Sequence, residues 1–445
     1  VGAPAAYVDV FVDDFVGLAQ KHKRRVRRTL LETVDEVFRP LSPSDPPTRR
    51  EPVSIKKLLE GDGSWSTIKL VLGWILDTES LTIRLPPHRV ERLQEILDEI
   101  PPTQRRISIK KWHKVLGELR SMSLALPGSR NIFSTMQNAL ASKTGGRLAL
   151  DKGVHHALED FRWMHDNIST RPTRIAEVVP LPPVAEGHHD ASGLGAGGIW
   201  FPGPYLAPRT GFTSTQPLVW RHQWPDFISS RLVTADNPHG SITNSDLELA
   251  GGLLHLDALS QCFDIRERTV LSKGDNLSTT FWERRGSTST NSPPAYLLRL
   301  FGMHQRFHRY VPRFDYISGP SNPIADSLSR HFNLTWSDQL ANIMPFLPQH
   351  NGPQVWTPSE QIVSAVTSAL LRKQSRRESL QVVPPVPLPF GTSGVLSPVS
   401  WASTPFSKPS RTKYHSYKSS PSEFVAENYL PAAVQSGLDR LKITY

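Results

Sequence analysis

Four acidic residues stand where carboxylates can act together: Asp190 in "GHHDASGLGAGGIWF", Glu248 in "TNSDLELAG", Asp275 in "LSKGDNLST" and Asp326 in "SGPSNPIADSLSR". Each taken alone is an ordinary helix cap or solvated acid. Together they suit one chemistry. Hydrolysis of a phosphodiester by two divalent cations needs several convergent carboxylates, because hard oxygen ligands must hold Mg²⁺ or Mn²⁺ ions about 3.5–4 Å apart. A second acidic feature is the pair Asp13 and Asp14 in "YVDVFVDDFVGLA". Adjacent like charges need water, a cation or an exposed turn to relieve them. The β-branched and aromatic residues on either side predict two short strands meeting at the pair, and a hairpin tip alone accounts for it. A glycosidase built on paired carboxylates has no support beyond the acids themselves.

These acids must be positioned by a fold. After "PLPPV" a new domain is expected from about residue 184 to 332, with the order strand, strand, strand, helix, strand, helix, helix, strand, helix. Asp190 falls in or at the end of a strand, Glu248 on a helix with a buried face at Leu247, Leu254 and Leu259, Asp275 after a strand, and Asp326 at a helix start. Upstream, "KHKRRVRRTLLETVDEVFRPL" predicts a helix with a basic start. Residues 68–85 read as a hairpin turning at Thr78-Glu79-Ser80. Three helical stripes follow: Val90, Leu93, Ile96, Leu97 and Ile100; Trp112, Val115, Leu116, Leu119 and Met122; Val154, Leu158, Phe161 and Met164. All three read as core.

The chain has 445 residues, 38% of them hydrophobic, with 11 Trp, enough for a sizeable core. A net charge of +10 favours a polyanionic partner, nucleic acid first. The single Cys262 excludes an internal disulfide and a Cys-based zinc site. No apolar run of membrane-spanning length and no signal-like segment is evident, so an intracellular place, cytoplasmic or nuclear, is expected, with no membrane partner. The first residue is Val1, which reads as a piece of a longer polyprotein or a truncated open reading frame. His188 and His189 read as strand-flanking polar residues, and Gly193, Gly195, Gly197 and Gly198 as a tight strand connection, since no Lys-Ser/Thr follows to complete a phosphate loop. His155, His156 and Trp200 read as structural.

The four blocks around the acids, taken in order, resemble the ribonuclease H domain of reverse-transcribing retroelements, with its carboxylates as Asp, Glu, Asp, Asp. The last block, a strand followed by Gly-Pro-x-Asn and Ala-Asp-x-Leu-Ser-Arg, is the most specific. "FVDD" resembles the Tyr/Phe-x-Asp-Asp hairpin of reverse transcriptases, "LGWILDTESLTIRLPPHRVERL" their primer-contacting hairpin and the start of the thumb, and "WHKVLGELRSMSLALPGSR" their connecting helices. The similarity covers about residues 7–332 and is closest to elements of the gypsy and DIRS type.

The resemblance implies an α+β multidomain chain. Residues 1–85 would be the C-terminal part of a polymerase palm, 86–183 a helical thumb and connection, and 184–332 a ribonuclease H-like mixed-sheet α/β domain. A helical linker (333–374), a disordered Ser/Pro-rich linker (375–423) and the start of an incomplete helical segment (424–445) would follow. It further implies Asp190, Glu248, Asp275 and Asp326 as ligands of two Mg²⁺ or Mn²⁺ ions, and an RNA–DNA hybrid as substrate. Asn244, Asn276, Lys110, Lys111 and Arg120 would contact nucleic acid. Asp13 and Asp14 would descend from a polymerase site that is incomplete, because its first aspartate would precede Val1. One departure is the lack of a histidine in residues 318–325. The main alternative is a catalytically inactive remnant that binds nucleic acid through its basic charge. An integrase or transposase nuclease would carry a late-helix Glu where Asp326 stands. The sequence gives no oligomeric state.

Overall fold

Alternating β-branched and aromatic residues pair as expected around the first acidic cluster: β1 (Ala6–Phe11) lies antiparallel to β2 (Asp14–Ala19), with Phe11 opposite Asp14. These coordinates are a computed structural model that describes residues 6–11, 14–20, 22–38, 44, 54–61, 63–142, 145–168, 171–289, 293–350, 352–374 and 380. Asp13 therefore lies outside the described residues, and Asp14 opens β2. So do the expected linker at 375–423, Leu380 apart, and the expected helical start at 424–445. The described residues form two compact units, one up to Pro86 and one from Pro87 onward. Among them no helix is long and apolar enough to cross a membrane.

The first unit continues with α1 (Lys23–Phe38), α2 (Ile55–Leu59) and an antiparallel meander of β3 (Ile68–Val71), β4 (Trp74–Asp77) and β5 (Thr82–Arg84). The hairpin expected at 68–85 is thus three strands with two turns. Its second turn is the expected one, closed by Asp77 Oδ1 accepting from the amides of Glu79 and Ser80. The first is Leu72-Gly73, both at positive φ (47° and 88°), a two-residue loop matched to strand twist. Leucine at a left-handed position hides this turn within an apolar run.

In the second unit α3 (Pro87–Asp98), α4 (Ile109–Met122) and α6 (Lys152–Ile168) bury the three expected stripes, Val90 being half-buried; α5 (Phe133–Asn138) lies between α4 and α6 in sequence. Short strands β6 (Arg106–Ser108) and β7 (Arg147–Ala149) pair antiparallel, and β8 (Thr173–Arg174) follows. Then come β9 (Ala185–Ala191), β10 (Gly195–Pro202), β11 (Ala207–Pro208), β12 (Leu218–Gln223), α7 (Asp226–Ser229) and α8 (Asn244–Cys262). After them run β13 (Phe263–Asp264), β14 (Thr269–Gly274), α9 (Leu277–Arg285), α10 (Pro293–His308), β15 (Val311–Tyr316) and α11 (Pro323–Arg330). The major elements reproduce the order read from the sequence.

The main sheet runs β15-β14-β9-β10-β12-β16, where β16 is Gln354–Trp356. Strands β9, β10 and β12 are antiparallel neighbours, whereas β14 is parallel to both β9 and β15. Gly197 and Gly198 of β10 face opposite sides of this sheet. A Cβ at Gly197 would meet Leu328 of α11 at 2.5 Å, and one at Gly198 would meet His255 of α8 at 2.8 Å. The glycines thus let a helix seat closely on each face. Helix α8 is buried on nearly all sides, its apolar residues being spread round the helix rather than confined to one face.

Two expectations about layout change. Residues 333–374 are part of the domain rather than a linker: β16 extends the sheet beside β12, and α12 (Trp336–Ile343) and the following turn put Ile343 and Leu347 into one core cluster with Ile199, Val219 and Leu328. Helix α13 (Glu360–Leu370) packs on α8 and α10 through Ile362, Val366 and Leu370. The boundary expected near residue 184 falls inside the second unit. Across it, Arg299 of α10 grips Asp160 of α6 through two hydrogen bonds of 2.6 and 2.8 Å, both side chains buried.

Candidate metal centre

Parallel pairing of β9 with β14, with His188 opposite Lys273, brings the C-terminal ends of the two strands side by side. Asp190 is near the end of β9 and Asp275 immediately follows β14, so the two carboxylates meet although they are far apart in sequence. Helix α8 begins above them. Thr243 caps it, accepting from the Asp246 amide while Asp246 accepts from the Thr243 amide. Glu248, in the next turn, points at the strand ends. One carboxylate oxygen from each of Asp190, Glu248 and Asp275 lies within 4.8 Å of the others.

The cluster is braced from the sheet and from α11. The Ala191 amide donates to Glu248 Oε2 (3.2 Å), and the Ser329 hydroxyl donates to Asp190 Oδ2. Ser192 Oγ donates in turn to the Ser329 carbonyl (2.7 Å). The Gly-Pro-x-Asn motif has a physical role here. A Cβ at Gly319 would stand 3.2 Å from Asp275 Oδ2, and Asn322, buried, donates to the His189 carbonyl (2.9 Å). Both contacts hold the last motif against the strand ends. The open cleft so formed has a volume of about 330 Å³ and is lined by Asp190, Ser192, Asn244, Glu248, Asp275, Asn276 and Arg330, among others.

Charge is costly in this cleft. Burial, with the Asp190 and Asp275 charges added to it, holds the Glu248 carboxyl well above the usual range. Burial first, and then Asp190, raises Asp275; burial raises Asp190, with the Ser329 hydrogen bond opposing. All three carboxyls bind protons more tightly in the folded protein than in the unfolded chain. Their contribution to stability is therefore present below the ordinary carboxylate range and is lost as pH rises through the raised folded values. It follows that Glu248→Gln should raise the melting temperature at neutral pH, in chelator, by about 2–4 °C. It should also flatten the decline of stability from acid to neutral pH. Scanning calorimetry across pH checks this, and a lower melting temperature at every pH would contradict it.

Of the other expected residues, two line the cleft and the rest lie away from its carboxylate cluster. Asp326 opens the face of α11 toward the cleft but is not in the cluster: its Oδ1 accepts from Arg330 Nε (2.6 Å), and its side chain is 45% exposed. Asn276 lines the cleft, yet its side chain caps α9, accepting from the Thr279 amide (3.1 Å) and donating to Ser245 (3.1 Å). Asn244, the first residue of α8, lines the cleft and is exposed. Lys110, Lys111 and Arg120 lie on α4 and do not line it. Lys111 pairs with Glu99 (2.9 Å), and Arg120 lies over the Phe133 ring. Trp200 is buried, as expected of a structural residue, and its indole stacks on His255 and donates to the His255 carbonyl (2.7 Å); His189, expected to flank the strand, is instead buried within β9. Sequence reasoning missed Ser329 and Arg330. Their spacing of three and four residues from Asp326 puts all of them on one helix face, a signal present in "ADSLSR".

No protein-family model matches the chain, and no curated protein matches it. Among solved structures it is similar to foamy viral protease-reverse transcriptase in complex with an RNA/DNA hybrid, at 11% identity and a TM-score of 0.23, over 57% of this chain and 29% of that one. It is also similar to foamy viral protease-reverse transcriptase dRH in complex with double-stranded DNA, at 10% identity and a TM-score of 0.22, over 56% of this chain and 38% of that one. The matches thus span well under half the length of those chains.

The donor set itself tests the fit of a cation. Three hard carboxylate oxygens converge in a cleft open to water, and their mutual repulsion is what a divalent cation relieves. Mg²⁺ and Mn²⁺ fit these residues. Only three of the four expected ligands converge, with Asp326 held at the rim by Arg330.

Proposed function

We propose that the chain hydrolyses the RNA strand of RNA–DNA hybrids at the Asp190, Glu248 and Asp275 cluster. The observation that carries this reading is the convergence of three acids from β9, α8 and the end of β14 within 4.8 Å. The motif resemblance anticipated these acids, and a mixed sheet with its antiparallel strands first supports the same domain type. The net charge of +10 suits a polyanionic duplex.

Divalent cations bound there would supply Lewis acidity to the scissile phosphate and a more acidic water. Asp190 and Asp275 would hold them from the two strand ends, and Glu248 would do so after giving up the proton that burial favours. Metal affinity should therefore rise with pH. Asn244 and Asn276, which line the cleft, would meet the minor groove, where 2′-hydroxyls distinguish RNA from DNA. Ser329 keeps Asp190 aimed into the cleft.

A second ion needs a further ligand, and Asp326, whose Oδ1 is held by Arg330, stands at the rim to serve as one. Asp326→Asn is thus expected to lower the rate by about tenfold, against at least about a hundredfold for Asp190→Asn. Equal losses would place Asp326 in the cluster after all.

The Asp326–Arg330 pair also favours a second reading, a remnant that binds hybrid without cutting it. A hybrid labelled separately on each strand distinguishes the two. The main reading predicts cutting of the RNA strand alone in Mg²⁺ and none in chelator; binding with both strands intact would establish the remnant.

A further inference from the structure

Away from the cleft, a second group of metal-ligating side chains lies in the interior. His304 and His308 are four residues apart on α10 and so share a face, and Asp257 meets them from α8. Asp257 and His304 are fully buried and His308 nearly so. One ligand atom from each lies within 4.8 Å of the others.

Asp257 Oδ1 stands 3.3 Å from His304 Nε2. Two ligands of a tetrahedral zinc ion, each about 2.0–2.1 Å from the metal, are about 3.3–3.4 Å apart. Two further atoms, Asp257 Oδ2 and His308 Nε2, are buried with no hydrogen-bond partner. Orphaned buried polar atoms are rare and costly, so two in one cluster point to a missing ligand.

Each donor is also oriented from behind. His304 Nδ1 lies 2.9 Å from the Tyr310 hydroxyl, the His308 ring bonds the Leu380 backbone, and Gln261 Nε2 donates to Asp257 Oδ1 (3.1 Å). Such outer contacts fix the ring orientation of metal-bound histidines.

We propose that Asp257, His304 and His308 form a structural site for Zn²⁺ or a transition-metal dication of like preference. Imidazole donors select such ions over Mg²⁺, which sets this site apart from the carboxylate cluster. Asp257 can offer both oxygens, completing four donors. The site would clamp α8, which also carries Glu248, against α10.

The test is metal analysis of the full chain, purified without chelator and dialysed into Mg²⁺ buffer. About one equivalent of zinc should remain per chain, and exchange with Co²⁺ should give the visible absorption of a four-coordinate ion. His308→Gln and Asp257→Asn should lose both signals, while Asp190→Asn keeps them. Tyr310→Phe, which preserves packing, should weaken zinc binding by about tenfold or more, so the proposal stays testable should the ligand variants fail to fold. Zinc and cobalt content no higher in the parent than in His308→Gln, or unchanged affinity in Tyr310→Phe, would overturn it.

Discussion

Asp275→Asn is expected to lower kcat/KM on an RNA–DNA hybrid by at least about a hundredfold, with the loss in kcat. Asparagine keeps the size of the side chain beside Gly319 and removes only the charge. Asp275 ends a strand at the cleft rather than filling the core, and its carboxyl already favours protonation through burial and the Asp190 charge. The fold should therefore stand, and the melting temperature should hold or rise. Single-turnover cleavage beside calorimetry measures both. Equal losses of activity and stability would make Asp275 a structural acid.

The second large effect concerns the body of the protein. Asp160→Leu should destabilise the second unit by about 3–5 kcal/mol, because it removes the carboxylate that takes two hydrogen bonds from the buried Arg299 guanidinium. Adding Arg299→Met should recover most of that loss, since two apolar side chains of similar volume replace a desolvated ion pair. Urea denaturation followed by circular dichroism gives both values. A loss under about 1 kcal/mol for the single variant would show the pair to be solvated. Because the bond ties α6 to α10, the same experiment asks whether residues 87–374 unfold together.

The order of strands and helices was legible because apolar periodicity reports local structure. The stripes at Trp112 to Met122 and Val154 to Met164 are buried where the spacing placed them. The acids could be named as candidates, but their convergence depends on β14 entering the sheet beside β9 and parallel to it, a long-range choice that no local pattern encodes. The turn at Leu72-Gly73 was hidden because leucine occupies a position where glycine or asparagine would announce it. β16 is three residues long, too short for any alternation to show, so 333–374 read as a linker. Asp326 is legible from its motif, whereas its pairing with the arginine four residues on is a side-chain choice that the motif does not announce. His304 and His308 show their spacing in the sequence, whereas Asp257 joins them only through the packing of α8 on α10.

The central claim is that Asp190, Glu248 and Asp275 hold the cation at which RNA is cut. Crystals of the protein with a hybrid, soaked in Mn²⁺ and measured at the manganese edge, test it most directly. The account predicts an anomalous peak among the three carboxylates, absent from Asp275→Asn crystals. Hybrid seated in the cleft with no manganese among those acids would contradict it.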